Sequence, residues 1–221
     1  MNTKLEQTLT KNKIMVFFGI LASVLYLAAD VPYIFLQDYE YYRFDFLIQL
    51  VDVAAIIALI VSYKKGETNL QKALISGLLF SSFVGTFCNT VYYIECYVVD
   101  GEDLYDMVLF IAFALFEGAI LVSHFVLQVE HKGTLKPIIV ITVAVFAAIA
   151  CDIVDSIMYI TGDYDYTWLY LLNNFGVDCY LVMILCIETK IQLYKRIRTE
   201  AKANGTWTLE AKEEAKGIFK I

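Results

Sequence analysis

Residues 147–160 read AAIACDIVDSIMYI. Apart from two aspartates and a serine the stretch is apolar or aromatic, suited to hydrocarbon rather than water. Asp152 and Asp155 lie one helical turn apart, so a helix puts both on one stripe. An apolar segment that accepts two carboxyls reads as a membrane helix with its acids turned toward other helices.

Working outward, the same pattern recurs. Apolar runs occupy about 14–35, 44–63, 73–98, 105–128, 137–161 and 167–193 of the 221 residues, and roughly 20 such residues cross a bilayer core as a helix. The hydrophobic content of 59% exceeds the half expected of a soluble domain. The expected fold is all-α and polytopic: six transmembrane helices arranged as three antiparallel hairpins, because short connections make successive helices neighbours. Residues 1–13 form a polar lead, 14–194 the membrane domain and 195–221 a tail. Tail residues Trp207, Ile218 and Phe219 offer an apolar face to the inner leaflet or to a partner. The lysines ahead of the first run read as the flank of a span, because that run is too long for a cleaved leader.

Charge sets the expected orientation. Every Lys and Arg except Arg43 falls before run one, between runs two and three, between runs four and five, or after Glu188 at the end of run six. The positive-inside rule then places both termini in the cytoplasm of a multi-pass cell-membrane protein. The opposite loops are acidic and rich in tyrosine, with Asp38, Glu40, Asp100, Glu102, Asp103, Asp163 and Asp165 beside Tyr39, Tyr41, Tyr97, Tyr164 and Tyr166. Such a rim serves as an interfacial belt or as a mouth that attracts cations. A net charge of −7 gives a nucleic-acid partner no electrostatic support.

Each span brings polar groups with it. Asp30, Asn89 and Asp152 sit roughly 24 Å from the basic ends of spans one, three and five. Asp52, Glu117 and Asp178 sit about 12–16 Å below the acidic ends of spans two, four and six. The recurrence at about 60 residues points to an internal triplication of a two-helix unit. No Lys or Arg lies between residues 137 and 189, so these carboxyls require protons, hydrogen-bond donors, water or a bound cation.

Three functions meet that requirement. The first is binding or transport of a cation or small polar solute through a cavity lined by Asp30, Asp52, Asn89, Glu117, Asp152, Asp155 and Asp178, with Asp152 and Asp155 central. The second is membrane-embedded hydrolysis, in which carboxyls act as general acid and base; the candidates are Asp152, Asp178 and His124, the one histidine within a span. The third is a sensory or structural module whose acids only specify helix packing. Cys88, Cys96, Cys151, Cys179 and Cys186 form no C-x-x-C, and neither a disulfide framework nor a metal site is expected. No cofactor is implied; the partners expected are the bilayer and a solute, cation or lysolipid.

Spans three to six resemble the lysoplasmalogenase-type membrane hydrolases (the YhhN family). Cys151-Asp152 is similar to that family's Ser-Asp element, the stretch from Leu121 to His124 to its histidine element, and Lys136-Pro137 to its Lys-Pro pair. The resemblance implies cleavage of a vinyl-ether lysophospholipid by two aspartates. The chain departs from the family in having six spans rather than eight, Gly85-Thr86 in place of Gly-Asp, and Asp178 near the place of a glutamine. A second catalytic aspartate then has to be Asp30 or Asp178.

Overall fold

The structure, a computed structural model, describes residues 2–36, 40–63, 69–101, 104–129, 136–162 and 167–219. The described residues form helices α1 (Asn2–Leu36), α2 (Glu40–Tyr63), α3 (Asn69–Asp100), α4 (Leu104–Val129), α5 (Lys136–Thr161), α6 (Thr167–Ala203) and α7 (Leu209–Lys216), then a 3-10 turn, Gly217–Phe219. Four of them carry stretches long and apolar enough to cross a membrane: Asn69–Val99, Leu104–Val129, Lys136–Thr161 and Trp168–Ala203. Shorter apolar segments, Lys13–Ala29 and Gln49–Tyr63, lie within α1 and α2. Most of the acidic, tyrosine-bearing rim lies outside the described residues.

Each long helix packs on the next, and α6 returns to α1, so the helices close into a ring. The most extensive contact joins α1 to α6, the first and last members. The hairpins are therefore not three separate bodies; the ring is held as firmly between them as within them. Close approach of α1 depends on Gly19, where a Cβ would stand 2.7 Å from both Ile60 Cδ1 and Met183 Sδ. Small residues at helix crossings allow this in a membrane, where dispersion contacts rather than water exclusion hold helices together.

The ring is apolar outside and mixed inside. Phe17, Val61, Phe80, Leu115, Val122, Val143, Phe146 and Ile160 are exposed, whereas Glu117, His124, Asp152, Asp155, Asn174 and Glu188 are buried. That distribution suits a hydrocarbon surround, which solvates leucine as well as a protein core does and leaves polar groups to find one another inside.

Glycines in the left-handed region end two helices where another residue would be strained: Gly101 (φ 73°) after α3 and Gly205 (φ 67°) after α6. Beyond Gly205, Thr208 caps α7, its hydroxyl accepting from Ala211 N at 3.2 Å. The tail then turns back on the bundle. Phe219 is buried with its ring edge-on to Tyr63 of α2 (5.5 Å between centroids) and to Tyr194 of α6 (5.4 Å). Trp207 meets Tyr194 at 6.4 Å. Ile218 and Phe219 of the tail, read from sequence as resting on the leaflet or on a partner, are buried against the chain's own helices, where Tyr63 of α2 and Tyr194 of α6 offer Phe219 edge-on ring contacts.

Candidate functional site

The interior holds two polar tiers, separated along α4 and α6. The first is built on the decisive stretch. Asp152 and Asp155 share one face of α5 and are 7% and 3% exposed, and across from them α6 presents Tyr170, Asn174 and Asp178 at successive turns. The Tyr170 hydroxyl and Asn174 Nδ2, the latter at 3.4 Å, both donate to Asp155 Oδ2. Tyr159 stacks on Tyr170 with 3.8 Å between ring centroids, which limits the freedom of the donor.

The carboxyls of Asp152 and Asp178 face each other from α5 and α6, close enough to interact. Two carboxyls brought together in a buried site do not both ionise cheaply, so a proton or a cation between them is favoured. Glu117 of α4 is 7% exposed and accepts from Ser82 Oγ of α3 at 2.9 Å, with half-buried Thr86 one turn further along α3 in electrostatic reach. Asp152 lies within electrostatic reach of Asp178, Asp155 and Glu117. Tyr180 extends this network toward Glu117, Asp52 and Tyr26. Among the described residues, Glu117 Oε2, Asp178 Oδ1 and the Tyr180 hydroxyl are buried with no hydrogen-bond partner.

The residues singled out from sequence are thus unequally placed. Asp152, Asp155, Glu117 and Asp178 come together. Asp52 stays at the edge, half-buried in a 370 Å³ groove between α2 and α3, with Val51, Ala55, Leu74 and Leu78 beside it. Asn89 is exposed on α3 and does not join the cluster; Thr86, one turn earlier, faces the interior in its place. The Asp30 side chain lies outside the described residues.

The second tier lies nearer the lysine-bearing ends of the helices and was not legible as a unit. His124 is 1% exposed, with Nδ1 2.5 Å from Glu188 Oε1 of α6. A carboxylate only accepts, so Nδ1 carries the hydrogen and Nε2 offers its lone pair. Nε2 stands 2.9 Å from Ser76 Oγ of α3. Gln128, one turn along α4, brings its amide Nε2 to 2.8 Å from Ser76 Oγ and 2.5 Å from His124 Nε2. Next to this group Lys195 Nζ donates to Leu127 O at 2.7 Å. His124 is therefore not a solitary residue at a helix end: it has polar partners from three helices. The signal that could have exposed them is the i, i+4 pair His124 and Gln128 together with Glu188, a further carboxyl at the end of run six.

Between the tiers, Ile120, Leu121, Leu181 and Ile184 are buried. His124 follows Glu117 by two helical turns, about 10 Å, and this apolar layer fills the gap. All five cysteines are free thiols, and Cys151 and Cys179 adjoin the acid pair in sequence without forming a cluster with it. Among the described residues, no group of three or more His, Cys, Asp or Glu side chains is placed to hold a metal ion. No protein-family model matches the chain, and no curated protein or solved structure does either.

Proposed function

We propose that this chain is a six-span protein of the cell membrane, three hairpins with both termini cytoplasmic, that binds or transports a proton, small cation or small polar solute at Asp152 and Asp178. The observation that carries this reading is the pair of carboxyls brought together on facing helices, with Asp155 and Glu117 in reach and acceptor oxygens of Glu117 and Asp178 left without partners. A buried acceptor without a partner is costly, and a proton or cation entering the cluster relieves it. Exchange of the proton between the two carboxyls for a cation needs no other change in charge. The tyrosines and Asn174 hold Asp155 in place while the pair trades its occupant.

The experiment is thermal stability of the purified chain with a panel of monovalent and divalent cations. A ligand that binds only the folded state raises the melting temperature, by about 2.7 kcal/mol of stability at one hundred times its Kd. A rise with one cation that disappears in Asp152→Asn supports the reading; no rise with any cation at any pH removes it.

Lysolipid hydrolysis is a second reading, favoured by one observation. The family resemblance asks for a second aspartate beside Asp152, and Asp178 faces it from α6. Release of product from a vinyl-ether lysophospholipid in detergent, where no ion gradient exists, separates it from transport.

A further inference from the structure

We propose that Ser76, His124 and Glu188 form a nucleophile, base and orienting carboxylate for acyl transfer, acting on the acyl ester of a lipid at the lysine-bearing end of the bundle. The proposal is independent of the acid tier. Serine-type catalysis is recognised by geometry rather than by fold or residue order, and two features of that geometry are met. The nucleophile oxygen is 2.9 Å from the base nitrogen, and the base's other nitrogen is 2.5 Å from a carboxylate. Burial deepens along the relay, from half-buried Ser76 to enclosed His124 and Glu188. The Gln128 amide nitrogen is 2.8 Å from Ser76 Oγ and 2.5 Å from His124 Nε2, so this amide has to turn from Nε2 before Ser76 uses that lone pair.

Access and substrate class follow from what surrounds Ser76. The next residue, Gly77, has open space where a Cβ would be and lines the groove between α2 and α3, whose other walls include Val51, Ala55, Leu74 and Leu78. Leu70 and Phe80 on the same helix face outward. Ser76 is seven residues into α3, roughly 10 Å from its start, the depth at which ester carbonyls of a bilayer meet its acyl chains. An acyl chain lying along that groove passes Gly77, the residue next to Ser76.

The step balances without a cofactor. Ser76 Oγ forms a bond to the ester carbonyl carbon as its proton passes to His124 Nε2. The bond to the leaving alkoxide breaks and that oxygen takes the proton from Nε2. Water repeats the sequence on the acyl-serine and releases a carboxylic acid, so that ester and water become acid and alcohol. At rest the Ser76 hydroxyl has a competing acceptor, Lys72 O at 2.8 Å, and rotation about one bond turns its hydrogen to Nε2.

The test is labelling of the full chain in detergent with a fluorophosphonate, followed by peptide mapping. The expected result is one adduct on Ser76, lost in Ser76→Ala and formed roughly a thousandfold more slowly in His124→Gln and Glu188→Gln. Thermal melting shows which variants fold; Ser76→Ala removes a single oxygen from a half-buried position and carries the test alone if the others do not. No adduct on Ser76, or an adduct that persists in Ser76→Ala, overturns the proposal. A long-chain nitrophenyl ester hydrolysed faster than nitrophenyl acetate identifies the acyl donor as lipid. The reverse order overturns that assignment.

Discussion

The two interior tiers answer the same physical problem in opposite ways. Near the lysine-bearing end, His124 sits between a carboxylate on one nitrogen and a hydroxyl and an amide on the other. Around Asp152 the acids outnumber their donors: Tyr170 and Asn174 both serve Asp155, whereas Glu117 and Asp178 each retain a buried oxygen without a partner. A tier whose central groups are matched can hold helices in register without any addition. A tier short of positive charge and donors leaves acceptors that only a proton, a water or a cation would satisfy. The apolar layer of Ile120, Leu121, Leu181 and Ile184 keeps these behaviours apart.

This contrast can be broken by mutation. Glu188→Leu leaves the buried His124 Nδ1–H without its acceptor and should cost up to about 3 kcal/mol, read from unfolding in detergent. A loss below 1 kcal/mol would mean that the second tier is not a matched unit. Phe219→Ala should cost about 3 kcal/mol and free the tail from Tyr63 and Tyr194; protease cleavage after Gly205 should then quicken while cleavage within the ring does not. Tyr170→Phe removes a donor to Asp155 and should cost about 1.5–3 kcal/mol, with an altered cation response in the same melts.

The smaller effects sharpen the comparison instead. Asp152→Asn keeps a hydrogen-bonding group opposite Asp178 while removing a carboxyl from a cluster already rich in them. Its stability should change by less than about 1 kcal/mol or rise, in contrast to Glu188→Leu. Equal large losses in both would erase the distinction between the tiers. Asn89→Leu should fall within about 0.5 kcal/mol of the parent, because that side chain faces outward; a larger loss would return Asn89 to the interior set.

How much of this was legible beforehand varied with the kind of signal. The helical, apolar character of the runs was, since stretches of that length and composition leave the chain few alternatives, but their ends were not: α1 reaches back to Asn2 and α6 on to Ala203. Asp152 with Asp155 was legible too, because a spacing of three residues on a helix is a statement about one face. Asn89 was misplaced because alignment by period assigns a depth and not an azimuth. A shift of three residues along α3, from Asn89 to Thr86, exchanges the surface for the interior.

The residue order alone determined that the chain is helical and apolar, with carboxyls lying where no cationic side chain could reach them within a span. Those properties depend on local spacing and on transfer from water, which each segment settles for itself. Tertiary structure decided that Asp178 pairs with Asp152 while Tyr170 and Asn174 turn to Asp155, that Ser76 and Glu188 meet at His124, and that Phe219 closes against Tyr63 and Tyr194. These pairings join residues on different helices, brought together only when the ring closes through α1 and α6. Their relative rotation is set by packing between helices, which no single segment encodes.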